Sequence, residues 1–205
     1  MLPRLLPVLA LSLALLWPVR AALPAPSETA CPAGQQPVCL LVCICVPSGA
    51  VPGGAYESLE QLAASALQRW IAESYQAIDP QRLQPIPLHI RARLEPWFAA
   101  ELLERVRYVV GEDTLFGTAH TVMQNPDVEA ITLIDRVVFR LPSDAEDNTG
   151  LWAHELHHVE QYLQWGVAGF ARRYTRNYRE VEEPAYARQR HIEQALRATP
   201  EAALR

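Results

Sequence analysis

His154-Glu155-Leu156-His157-His158 constrains this chain more than any other stretch, because it sets two histidines four residues apart with a glutamate directly after the first. Residues at i and i+4 share one face of a helix, one turn apart, so His154 and His158 can close on a single metal ion. A pattern of three specified positions is short, however, and an amphipathic core helix carrying two satisfied histidines is the competing reading. The neighbouring residues decide between them.

At about 100° per residue, Leu151, Trp152, Leu156, Val159, Tyr162 and Leu163 fill one wide apolar arc. Glu155 falls inside that arc, while Ala153, His157, Glu160, Gln161 and Gln164 take the other side. An unpaired carboxylate on a buried face is costly, and a metal or its water would satisfy it. His157 points away from the pair and reads as a solvent-side residue. Upstream, the run Ser143 to Thr149 supplies caps and first-turn acids, with capping-box spacing from Ser143 to Glu146. The helix is expected to start between Asp147 and Thr149 and to stop at Gly166. This setting favours the metal reading: zinc held by His154 and His158, with Glu155 as general base toward an activated water.

A catalytic zinc needs a third protein ligand and one open position. Arg179-Glu180-Val181-Glu182-Glu183-Pro184-Ala185-Tyr186 opens a final helix running to about Arg197, with the proline tolerated in its first turn. Acids at a helix start also complement the macrodipole, so spacing alone does not choose the ligand.

Trp152 to Gln161, then Tyr162, Gly166, Phe170, Tyr174 and Glu182-Glu183-Pro184-Ala185-Tyr186, resemble the extracellular contractile injection system core domain, a zincin-like domain of unknown function. The resemblance covers about Leu94 to Gln189 and includes Arg105-Val106-Arg107 and Ala130-Ile131-Thr132. It implies a gluzincin-type site whose third ligand is a glutamate followed three residues later by alanine, here Glu182 and Ala185. Pro184 departs from the family's usual acidic or polar helix former, which keeps Glu183 as the fallback ligand. Ile134-Asp135 stands where the family has a more turn-like Gly-Asn pair, which weakens the expected hairpin. The zincin likeness also implies an edge strand above the metal helix, formed by Ile131–Ile134 or Val137–Phe139, that holds an extended substrate by main-chain pairing.

The N-terminus bears on compartment. Arg4 leads into an apolar run from Leu5 to Trp17, followed by Pro18-Val19-Arg20-Ala21-Ala22, the anatomy of a secretory signal peptide cleaved after Ala21 or Ala22. The run is too short for a stable membrane anchor. Cys31, the first cysteine, lies too far beyond it for lipid attachment. The expectation is an exported protein, periplasmic or extracellular.

Cys31, Cys39, Cys43 and Cys45 are the chain's only cysteines, and an even cluster in an exported chain means disulfides, with three possible connectivities. A cysteine zinc site is the sharper alternative, but these spacings match no recognised pair of knuckles. Val38 to Val46 reads as one extended segment that puts Cys39, Cys43 and Cys45 on one face, leaving Cys31 to partner one of them.

Residues 22–54 thus form a cysteine- and proline-rich lead-in, and residues 55–205 a single domain large enough for a real core. Within it, Ser58 to Ile78 is an amphipathic helix with Leu59, Leu62, Ala66 and Trp70 recurring at helical spacing. Leu88 to Ala92 fits a short strand, and His89 has no partner at metal spacing. A second helix is expected from Pro96 to Arg105, leading into an extended Val106 to Val110. The fold class is α+β and zincin-like, mostly helical with a small sheet or hairpin before the His154 helix.

Loss of residues 1–21 removes Arg4 and Arg20, leaving 16 basic against 23 acidic residues, a net charge of −7. Such a chain is no natural polyanion binder, so nucleic acid is not an expected partner. Arg172, Arg176 and Arg179 fall on one helical face, usually a solvated one. Two function classes follow: an exported zinc metallopeptidase acting on protein or peptide, with Tyr174, Tyr178 and Tyr186 as candidate oxyanion donors, or a catalytically weak zinc-stabilised binding or assembly module. Neither needs a membrane anchor once the signal is removed.

Overall fold

Trp152 sits at the centre of the chain's packing, fully buried, with its Nε1–H donating to the Ala145 carbonyl at 2.7 Å. It belongs to the helix that organises everything else. A computed structural model gives the arrangement and describes residues 31–39, 43–47, 53–111 and 128–198. Residues 1–21, where a signal peptide is expected, lie outside the described residues.

The elements are β1 (Gln35–Cys39), β2 (Cys43–Pro47), α1 (Gly53–Ala77), β3 (Gln84–Pro85), α2 (Leu88–Leu94), α3 (Ala100–Arg105), β4 (Arg107–Val110), β5 (Ala130–Leu133), β6 (Arg136–Phe139), α4 (Pro142–Asp147), α5 (Thr149–Arg176) and α6 (Tyr178–Ala198). The fold is mostly helical with a small sheet, consistent with α+β. That sheet has the order β3-β4-β6-β5, in which β4 and β6 are parallel and the other pairs antiparallel. Both its faces are covered. Tyr108, Val137 and Phe139 pack with Trp152, Leu156, Ile90 and Leu94 on one side. Val109, Leu133 and Val138 pack with Leu67, Ile71, Tyr162 and Phe170 on the other. Burial on both faces explains the unbroken apolar runs of these strands.

Helix α5 starts at Thr149 as the sequence predicts, with Asn148 Oδ1 accepting from the Leu151 N–H at 2.9 Å. Gly166 breaks its dihedrals at φ 66°, ψ 170°, but the spiral resumes and ends only at Arg176. The glycine is thus a kink rather than a stop, because Phe170 and Ala171 beyond it have core to bury. Asn177 then separates α5 from α6, so Arg179 does not share a helix with Arg172 and Arg176.

Several expectations are corrected. Leu88 to Ala92 is helical, since Ile90 and Leu94, four apart, are the buried pair while Leu88 is exposed. The second helix spans only Ala100–Arg105, because Trp97 and Phe98 close a turn onto the Leu94 carbonyl. In α1 the buried stripe is Ala63, Ala64, Leu67, Ile71 and Ser74, offset from the expected one, and Leu59 and Leu62 are exposed. Helix α4 begins at Pro142 with Asp144 Oδ2 accepting from the Leu141 N–H, in place of a Ser143–Glu146 box. Glu146 instead accepts from the Tyr108 hydroxyl at 2.9 Å.

Near the N-terminus, Val38 to Val46 is not one strand. It folds into the antiparallel β1–β2 pair, with Cys39 and Cys43 in register on opposite strands. A disulfide joins Cys31 to Cys45. Strand β1 lies against α5 and α1. Among the described residues no helix is long and apolar enough to cross a membrane.

Candidate metal centre

Burial of α5 on nearly all sides sets the site. Helix α6 packs along it more extensively than any other element, with α1 next, and Ala153 and Gln161, expected on the solvent side, are buried while Leu163 is half exposed. His157 does keep to the outer side. Its Nδ1 lies 3.2 Å from Glu160 Oε2, which also receives Arg188 at 3.2 Å.

His154 and His158 project from α5 toward the second turn of α6, where Glu182 faces them. The Nε2 atoms of the two histidines are 3.0 Å apart, and Glu182 Oε2 lies 3.3 Å from His154 Nε2 and 3.5 Å from His158 Nε2. Ligand atoms about 2.0–2.2 Å from a tetrahedral zinc would be spaced by roughly 3.3–3.6 Å, a span that both Glu182 separations meet and that the 3.0 Å between the histidines falls slightly short of. The donor set, two imidazole nitrogens and a carboxylate oxygen, suits such an ion. His154, His158 and Glu182 therefore form a group that could hold a metal. Glu183 is exposed on the far side of the turn and Glu180 pairs with Arg173 at 3.4 Å. Of the three acids, Glu182 alone joins the histidines. Pro184 falls inside α6 rather than in its first turn, because the helix begins earlier, at Tyr178.

Charge at the site is strongly coupled. Burial pushes the Glu182 carboxyl up, but the two histidines outweigh it and hold the group well below the usual carboxylate range. Burial pushes His158 down, and Glu182, with a smaller contribution from Glu155, raises it to about 9. Tyr174 is also pushed up, by burial and then by the charge of Glu182.

Glu155 is 4 % exposed, and its Oε2 accepts the Thr132 hydroxyl at 2.6 Å. Thr132 lies on β5, so a strand residue holds the expected base. The Tyr186 ring packs tilted against His154, with centroids 4.4 Å apart and planes at 59°, and burial followed by Glu182 raises its hydroxyl to about 12. His158 Nδ1 is 2.8 Å from Gln161 Oε1. Sequence reasoning missed Thr132 and Gln161. Gln161 carried one signal, its place one turn after His158, and Thr132 carried none, because β5–α5 contact is tertiary. His89 sits apart, its Nε2 2.6 Å from the Glu146 carbonyl. A cavity of about 650 Å³ between β3, α2 and α3 includes none of the triad in its lining.

Residues 85–166 match the eCIS core domain. The match begins before the Leu94 boundary expected from resemblance and ends before Glu182. The matched segment thus holds β4, β5, β6, His154, Glu155 and His158, while Glu182 lies beyond it. No curated protein and no solved structure matches the chain.

Proposed function

We propose that the chain is an exported zinc-dependent metallopeptidase that cleaves amide bonds in protein or peptide substrates. The observation that carries this reading is the meeting of His154 Nε2, His158 Nε2 and Glu182 Oε2 within 3.5 Å of one another beside a buried Glu155. Zinc bound by these three residues would supply Lewis acidity toward a water and a substrate carbonyl.

The chain's own groups would do the rest. Glu155, with one carboxylate oxygen held by Thr132, keeps the other to take a proton from the attacking water and pass it to the leaving amine. Tyr186, its ring tilted against that of His154 at 4.4 Å between centroids and its hydroxyl still protonated at neutral pH, would be the donor toward a developing oxyanion. Among the described residues strand β5 has only β6 beside it in the sheet, and its other edge would pair with an extended peptide next to Glu155. The zincin likeness and the signal-peptide pattern of residues 1–21 agree with this reading.

Purified mature protein should contain equimolar zinc by elemental analysis and cleave an unstructured substrate such as casein, and Glu155→Gln should abolish cleavage with zinc retained. Absence of zinc would overturn the reading. Zinc without cleavage in the wild type would leave a zinc-stabilised binding or assembly module.

A further inference from the structure

We propose that Gln161 is a positioning residue that ties His158 to Glu182, so that two of the three ligands are set as one unit. The inference rests on the reading of the site as a metal centre and adds to it a link from Gln161 to the helix that carries Glu182, which lies beyond residues 85–166.

The side-chain amide of Gln161 is buried, 3 % exposed, and both its ends are used. Its Nε2–H donates to the Val181 carbonyl at 2.8 Å, and its Oε1 lies 2.8 Å from His158 Nδ1. A carbonyl only accepts, so the NH2 end of the amide must face Val181 and the oxygen must face the imidazole. An amide oxygen also only accepts, so Nδ1 of His158 must carry a proton. For the neutral ring, that leaves the lone pair on Nε2, the atom pointed at His154 and Glu182, which is the tautomer a metal ligand needs.

The same amide reaches the other helix. Val181 immediately precedes Glu182, and its side chain is fully buried. The hydrogen bond to its carbonyl fixes the α6 backbone next to the third ligand against α5, one turn beyond the second ligand. Loss of the amide would therefore free the His158 ring and loosen the register of Glu182 together. A residue with a purely structural role would cost stability alone. Among the described residues His154 has no equivalent support, since its buried Nδ1 finds no hydrogen-bond partner there. The ordering of the site consequently falls on the His158 side.

The test is competition of zinc between the mature protein and a chromophoric chelator, for wild type, Gln161→Met, Glu182→Ala and the double variant. Outer-shell partners of a metal ligand are worth 10–100-fold in affinity, so Gln161→Met should raise the zinc dissociation constant by about that factor. In the Glu182→Ala background the same change should cost much less, under about 3-fold, because part of what Gln161 positions is gone. An unchanged dissociation constant, or an equal loss in both backgrounds, overturns the proposal while the metal centre stands. A wild type that takes up no zinc overturns both. If Gln161→Met does not fold, Gln161→Asn replaces it: its amide is too short to span His158 and Val181, so the same loss is expected, and an unchanged affinity is again fatal.

Discussion

The Thr132 hydroxyl on strand β5 donates to Glu155 Oε2 on helix α5 at 2.6 Å, and the same oxygen lies 3.1 Å from the Glu155 backbone carbonyl. One hydroxyl carries one proton, and the shorter contact to a carboxylate takes it. The bond fixes the Glu155 rotamer and leaves Oε1 free. Thr132→Val keeps the shape and removes the donor, so hydrolysis should fall by roughly 10–100-fold in kcat, the range for a hydrogen bond to a charged group of about 1.5–3 kcal/mol. Zinc content should not change. Thr132→Ser should recover most of the rate, and a Thr132→Val enzyme as fast as wild type would show that the bond does not serve the base.

Glu182 and Glu183 are adjacent, but only Glu182 faces the histidines. Glu182→Ala should weaken zinc binding by more than the roughly 10–100-fold range of an outer-shell change, and Glu183→Ala should bind zinc as the wild type does. Chelator competition reads both. The opposite ranking would move the third ligand to Glu183 and shift the register of α6 by one residue.

Zinc uptake should release protons. His158 is raised to about 9 in the metal-free chain, so at pH 7 it is protonated, whereas a coordinated imidazole must be neutral at the bonding nitrogen. Its raised pKa stabilises the metal-free fold fully below the unfolded value of about 6.5, and that stabilisation is lost as pH rises through about 9. Apparent zinc affinity should therefore climb with pH toward 9. Calorimetry in buffers of different ionisation enthalpy should detect about one proton released per zinc at pH 7; no dependence on the buffer would contradict the assignment.

How far the sequence discloses this site depends on the range of the interactions involved. The pair His154 and His158 and the base Glu155 lie within one helical turn, so local periodicity reveals them. Glu182 is separated from them by the kink at Gly166 and the break at Asn177, and only resemblance singled it out beforehand. Thr132 meets Glu155 across a strand–helix contact that no local pattern encodes. Ile134 shows the converse case. The β5–β6 hairpin forms despite lacking a turn-like pair, with Ile134 at φ 64°, because its side chain packs with the cluster around Leu133 and Val138. Tertiary packing overrides a turn preference there, as it does where Ile90 and Leu94 turn an apparent strand into a helix.

Gly166 is where the fold spends conformational freedom on the site. Its φ of 66° and ψ of 170° fall in a region that is essentially restricted to glycine, and beyond its chain neighbours and the adjoining helix backbone no described atom stands within 4 Å of where a Cβ would be. An alanine there would meet no steric obstacle, so its cost would be purely backbone strain, roughly 1–3 kcal/mol. For a chain of this size that lowers the melting temperature by about 2–10 °C. The strain should also reach the candidate metal centre, because the segment after the kink carries Phe170, whose ring lies 6.0 Å from that of His158, and Tyr174, whose hydroxyl feels the charge of Glu182. Gly166→Ala should therefore weaken zinc binding as well as lower the melting temperature. By contrast, Gly169→Ala, at a position with helical dihedrals where the new methyl would meet Trp165 Cβ at 3.0 Å, should perturb stability with little effect on zinc. Equal zinc affinity in Gly166→Ala and wild type would mean that the kink shapes the core but not the ligands.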